Sequence, residues 1–213
     1  MSLTFYYGSG SPFAWKVWLA LEHKAVPYEF RLLSFDRGDT KAPEFLSVNP
    51  RGRVPTIVDE GFALWESAAI VEYLEERYAQ NPLLPKDAHG RAKARRLAGE
   101  ADSYLGPTIG KLVELVLFSD APAPPAEIEK AKGEILAELA LWEQQMTGPY
   151  FLGALSLADF AVFPHLRLLR RTEDRKPGQG IPNDRLPAKL AAWVKQIESL
   201  PYYEKTIPPH WKG

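Results

Sequence analysis

Residues 3–7, Leu-Thr-Phe-Tyr-Tyr, form a short β-branched and aromatic run that stops at Gly8-Ser9-Gly10, the pattern of a strand entering a loop. Beyond it Phe13, Val17, Leu19, Ala20 and Leu21 recur at near-helical spacing, and Pro12 suits a first helical turn, where its missing N–H would have no partner. Tyr28 to Leu33 alternates apolar and polar as a second strand does, and Ala42 to Val48 reads as a short helix closed by Asn49-Pro50. Val54 to Asp59 and Phe62 to Trp65 are two further strands, and Glu60-Gly61 between them signals a hairpin. A periodic helix runs from Ser67 through Ile70, Val71, Tyr73, Leu74 and Tyr78 and ends before Asn81-Pro82. The order β-α-β-α-β-β-α predicts a small mixed sheet flanked by helices, an α/β domain over residues 1–80.

Residues 81–88 carry two prolines and no period, which predicts a linker, and the rest of the chain reads as helical. Residues 90–118 form one long helical stretch with a kink expected at Gly106-Pro107; residues 125–146 and 186–199 are two more. Ser156 followed three positions later by Asp159, with Leu155 and Phe160 as a staple, opens the core helix of this part. Residues 170–185, charged and bearing Gly and Pro, read as a connection. An all-α bundle over residues 89–213 is the expected second domain.

Composition narrows the chemistry. The 213 residues carry 26 Lys and Arg against 27 Asp and Glu, so no global field draws the chain to nucleic acid or an anionic membrane. No Cys is present, which removes disulfides, Cys-ligated zinc and any catalytic thiol belonging to the protein. His23, His89, His165 and His210 lack metal-ligand spacing, and no metal site is expected. No apolar segment approaches the roughly 20 residues that span a bilayer, and the cytoplasm is the expected location. A small, near-neutral partner fits best.

Three constellations remain. Gly8-Ser9-Gly10-Ser11-Pro12 lies between a strand and a helix N-terminus, where free N–H groups and the positive dipole end favour an anion; Ser9 or Ser11 there serves equally as a plain cap. Val54-Pro55 stands ahead of a strand, marking an edge or a cis turn that would let Val54 pair with an extended peptide; a trans proline at a strand start satisfies the local pattern too. Glu66-Ser67 joins a strand to a helix, with Ser67 as the expected N-cap. The pair matches the ammonium and carboxylate ends of an α-amino acid, and a capped helix accounts for it as well.

Taken together, Ser11-Pro12-Phe13, Asn49 to Pro55, Glu66-Ser67 and Ser156 to Asp159 resemble the soluble glutathione transferases in order and spacing over almost the whole chain. The resemblance implies a thioredoxin-like first domain that holds glutathione as co-substrate, a helical domain completing a pocket for small hydrophobic electrophiles, and a homodimer. It implies that Val54, beside Pro55, pairs with the cysteinyl part of glutathione, that Glu66 and Ser67 hold its γ-glutamyl end, and that Arg53 and Lys41 meet its glycyl carboxylate. Glu100 or Asp102 would reach the γ-glutamyl amine in the partner. Ser-Pro-Phe is similar to the serine-type, tau-like pattern, which makes Ser11 the sulfur's hydrogen-bond donor, with Ser9 second and Tyr6 or Tyr7 third. Phe13, Trp15, Tyr104, Ile109 and Phe118 are the expected electrophile-pocket walls. The same fold also serves glutathione-dependent isomerases, peroxidases, dehalogenases and non-catalytic binding proteins.

Overall fold

A computed structural model describes residues 3–212. Strand β1 (Leu3–Gly8) buries Leu3, Phe5 and Tyr7 at alternate positions, the two-residue period that packs one face of a sheet. It pairs in parallel with β2 (Tyr28–Leu33) and antiparallel with β3 (Thr56–Asp59), which turns back on β4 (Phe62–Trp65), giving the order β2-β1-β3-β4. The parallel pair requires a crossover, and helix α1 (Pro12–His23) provides it. Every residue of α1 from Ala14 to Leu21 is buried, because the helix packs on β1, on α3 (Ser67–Arg77) and on a segment from the far end of the chain. A short 3-10 turn (Asp39–Lys41) and α2 (Pro43–Leu46) precede β3. This is the four-stranded mixed sheet with helices of a thioredoxin-like domain.

Two departures from the sequence pattern bear on the site. The third strand begins at Thr56 rather than Val54, because Val54-Pro55 is a cis peptide and pairing with β1 and β4 starts after it. Residue Glu66, not Ser67, caps α3: its carbonyl accepts from Ile70 N at 2.9 Å, so the first helical bond closes one residue earlier.

The described residues fall into two compact units, one running to Leu84 and resuming at Pro201, the other Pro85–Leu200. The second unit is helical. It contains α4 (Ala88–Glu100), α5 (Gly106–Val113), α6 (Pro125–Gln144), α7 (Leu157–Arg175) and α8 (Ala188–Glu198). The expected kink at Pro107 is absorbed by a π-helical segment, Ala101–Leu105, directly before α5, and a second one, Glu114–Phe118, follows it. Residues 170–175, expected in a connection, are the last turns of α7. Asp159 organises this unit: fully buried, it accepts from Ser156 N (2.8 Å), Ser156 Oγ (2.9 Å), Phe151 N (3.1 Å) and Trp193 Nε1 (2.8 Å).

Residues from Pro201 on, expected in the helical domain, return to the first unit. Helix α9 (Tyr203–Thr206) packs on α1, where the buried Trp15 Nε1 donates to Thr206 Oγ1 at 3.1 Å. A buried indole N–H needs an acceptor, and Thr206, from the far end of the chain, supplies one. His23 with the Tyr202 hydroxyl (2.8 Å) and Lys205 with Glu22 (2.6 Å) complete the attachment.

Candidate functional site

The sheet register gathers the site. Tyr6 lies opposite Thr56 and Thr56 opposite Trp65, so the end of β1, the start of β3 and the end of β4 lie at one end of the sheet, the edge along which these strands terminate. Both β1 and β4 run straight into helices there, which brings the N-termini of α1 and α3 to that edge together. The free N–H groups and dipoles of two helix starts favour negative charge.

The first arm is the turn Gly8-Ser9-Gly10-Ser11, closed by Ser11 N donating to Gly8 O at 3.1 Å. Ser11 is the N-cap of α1, its Oγ accepting from Ala14 N at 3.3 Å, which leaves its own hydroxyl hydrogen to donate elsewhere. A Cβ at Gly8 would stand 2.8 Å from Val54 Cγ2 and 2.4 Å from the Phe35 ring, so only glycine lets the second arm approach this closely. Tyr7, fully buried, accepts from Gly10 N at 3.4 Å; burial pushes its phenol far up, so it stays neutral and braces the turn. Tyr6 packs its ring on Phe45.

The second arm is the loop before β3. Buried Asn49 ties it down, its Nδ2 donating to Arg53 O (2.8 Å) and Thr56 Oγ1 (2.9 Å) while its Oδ1 accepts from Arg51 N (2.9 Å). The sequence pattern shows Asn49 as the end of a short helix; its organising role depends on contacts two to seven residues away. Val54, half-buried, has its backbone outside the β3 ladder. Arg53 and Lys41 are both exposed, and Lys41 Nζ lies 3.2 Å from where a Cβ on Gly52 would stand, one residue from Arg53.

The third arm is Glu66-Ser67. Glu66 is exposed and holds φ 70, ψ 111, a conformation rare for a residue with a side chain, and Ser67 is buried in the first turn of α3. A carboxylate, a hydroxyl and open helical N–H groups thus stand side by side.

The remaining candidates separate. Phe13 is exposed, whereas Trp15, expected to line a pocket, is a core residue. In the second unit Tyr104 and Phe118 are exposed, while Ile109, also expected as a wall, is fully buried. Asp102 turns toward His165 of its own unit, Oδ1 lying 3.7 Å from Nε2. A groove of α1 and β2 lined by Trp18, Glu22, Tyr28 and Lys205 has its polar groups committed to one another: Trp18 Nε1 donates to the Tyr28 hydroxyl (2.6 Å), which donates in turn to Glu22. Among the described residues no cluster of His, Asp and Glu could hold a metal ion, and no helix is long and apolar enough to cross a membrane.

The family model "Glutathione S-transferase, N-terminal domain" matches residues 10–77, and "Glutathione S-transferase, C-terminal domain" matches residues 125–196. Glutathione S-transferase A of Pleuronectes platessa is 32% identical over 98% of this chain and 92% of its own. A probable maleylacetoacetate isomerase 2 of Drosophila melanogaster is 32% identical over 74% of this chain and 70% of its own. The crystal structure of a glutathione transferase from Burkholderia graminis, with two glutathione molecules bound per subunit, superposes with a TM-score of 0.85 at 29% identity, covering 100% of this chain and 90% of that one.

Proposed function

This chain belongs to the glutathione S-transferase family, and on that premise we propose that it binds glutathione along the sheet edge, ionises its thiol and directs the thiolate at small hydrophobic electrophiles. The observation that carries the reading is the convergence of the Ser11 cap, the Val54 backbone and Glu66-Ser67 on one edge beside two helix N-termini. Glutathione is an extended, branched tripeptide with an ammonium and two carboxylates. The Val54 backbone, free of the ladder, takes its cysteinyl amide as an added strand would. Glu66 accepts from the γ-glutamyl ammonium, Ser67 and the start of α3 receive that residue's carboxylate, and Arg53 with Lys41 receives the glycyl carboxylate.

The sulfur is then delivered to the turn at the start of α1. A thiol of pKa about 8.5 is mostly protonated at neutral pH, and the thiolate is the nucleophile. The Ser11 hydroxyl donates to sulfur and the α1 dipole favours its charge, so the proton leaves to solvent at lower pH. With a chloronitroaromatic the thiolate forms a carbon–sulfur bond and chloride departs with its electron pair; with an isothiocyanate it adds to the central carbon and the nitrogen takes a proton from solvent. Within the first unit, the exposed Phe13 beside the Ser11 cap is the apolar candidate for electrophile contact. The functional assembly is a homodimer, which light scattering tests directly.

Assay of glutathione conjugation against chloronitroaromatics and isothiocyanates is the test, with turnover of at least one class expected. A second reading, a glutathione-dependent cis–trans isomerase, is favoured by the maleylacetoacetate isomerase among the relatives. It shares every glutathione contact, and maleylacetoacetate turnover without conjugation would select it. Tight glutathione binding with no turnover of any kind would instead indicate a binding protein.

A further inference from the structure

The end of the chain reaches the sulfur-side turn. Residues Pro209–Trp211 form a single 3-10 turn that sets His210 Nδ1 2.5 Å from Ser9 Oγ. Gly10, at φ 85, makes room for it: a Cβ there would stand 3.0 Å from His210 Cε1. Trp211 Nε1 donates to His210 Nε2 at 2.9 Å, and the Trp211 ring meets Trp15 edge to face at 5.4 Å, tying the turn to the core through the Trp15–Thr206 bond. These residues all lie in the first unit.

The hydrogen-bond roles follow from elementary chemistry. An indole nitrogen only donates, so His210 Nε2 is the acceptor and the ring hydrogen of the neutral imidazole sits on Nδ1. Nδ1 therefore donates to Ser9 Oγ. The reverse arrangement, with Ser9 donating to Nδ1, would put a hydrogen on Nε2 where the Trp211 hydrogen already points. A serine oxygen occupied as an acceptor keeps its own O–H for another partner.

We propose that His210 is a positioning residue of the glutathione site, which, with its tautomer set by Trp211, holds the Ser9 hydroxyl as a second hydrogen-bond donor to the thiolate alongside Ser11. The inference rests on the reading of this edge as a glutathione site. It makes the C-terminal turn part of the apparatus that ionises the thiol, although His210 touches neither sulfur nor electrophile. Donation from Nδ1–H also polarises the Ser9 O–H, making it a stronger donor than a solvated hydroxyl.

The test is the apparent thiolate pKa of bound glutathione, followed by ultraviolet absorbance in the full chain, with the glutathione Kd from calorimetry. Ser9→Ala and His210→Ala are each expected to raise that pKa by about half a unit to one unit. The double variant is expected to raise it no further than either single change, the mark of two residues acting as one device. Glutathione Kd should stay within about threefold of the unmodified protein, because the tripeptide's other contacts are untouched. His210→Asn, whose amide donates from near the Nδ1 position, should recover most of the shift. If His210→Ala does not fold, Trp211→Phe, which removes the donor that sets the tautomer, should still raise the pKa. An unchanged pKa in the folded variants, or fully additive shifts for Ser9→Ala and His210→Ala, would overturn the proposal. Failure of the underlying glutathione reading looks different: the unmodified protein would not bind the tripeptide at all.

Discussion

Glu66 holds a backbone conformation that favours glycine, and its proposed contact with the γ-glutamyl ammonium would account for a side chain there. Its backbone at φ 70 and ψ 111 costs about 1–3 kcal/mol that a glycine would avoid. Glu66→Gly relieves that cost while loosening the unfolded chain, so urea unfolding should find it within about 1 kcal/mol of the unmodified protein. Calorimetry should find glutathione bound at least about tenfold more weakly, which one lost charged hydrogen bond accounts for. A loss of stability well beyond that range would mean the conformation is not strained. Ser11→Ala separates two roles in the opposite way. It removes the Ala14 N–H cap bond, costing about 1 kcal/mol in urea unfolding, and should raise the apparent thiolate pKa of bound glutathione by about one unit with little change in Kd. An unchanged thiolate pKa would remove Ser11 from the mechanism. The Ser11 cap of α1 and the Val54-Pro55 break before β3 were legible in sequence because caps and prolines mark the junctions of strands and helices, whereas the cap of α3 fell on Glu66 and not on the expected Ser67. The positive φ of Glu66 and the contact of His210 with Ser9 were not legible, since the first is a conformation that sequence propensity assigns to glycine rather than glutamate and the second joins residues 201 positions apart.

Among elements, the opening of α7 was the most legible, since Ser156 and Asp159 are a capping pair in plain view. What sequence does not show is that Asp159 also accepts from Phe151 and Trp193, holding the preceding loop and α8 to the same carboxylate. Burial pushes its carboxyl up, and these four donors oppose the shift. Asp159→Ala strands all of them and should cost about 3 kcal/mol or more in urea unfolding, against about 1 for Ser156→Ala. Equal costs would show that Asp159 is only a cap. The helical stretch over residues 90–118 was readable from its period, but its two π segments were not. The first precedes Pro107, and Gly106 there lies so close to His165 that a Cβ would stand 2.7 Å from the imidazole, a packing constraint from α7 that no local pattern encodes.

At the scale of the molecule, the β-α-β-α-β-β-α order and the helical continuation follow from periodicity and from the glycines and prolines that punctuate it, whereas the return of residues 201–212 to α1 does not, because Trp15 and Thr206 find each other only in three dimensions. That attachment has its own pH dependence. Burial first, and the neighbouring Lys24 second, hold His23 below the usual histidine range, with Glu75 opposing. A base with a lowered folded pKa favours the neutral form in the folded state, so its contribution is present above the unfolded value of about 6.5 and is lost as pH falls below it. The urea midpoint should drop between about pH 7 and pH 5.5, and His23→Gln should flatten that part of the profile; an equal drop in both proteins would assign the dependence to other groups. The central claim, that a chain without cysteine ionises a borrowed thiol at the start of α1, is tested most directly by ultraviolet titration of glutathione bound to the unmodified protein. The account predicts thiolate absorbance with an apparent pKa at least about one unit below the free value near 8.5. Ionisation at the free value under saturating protein would contradict it.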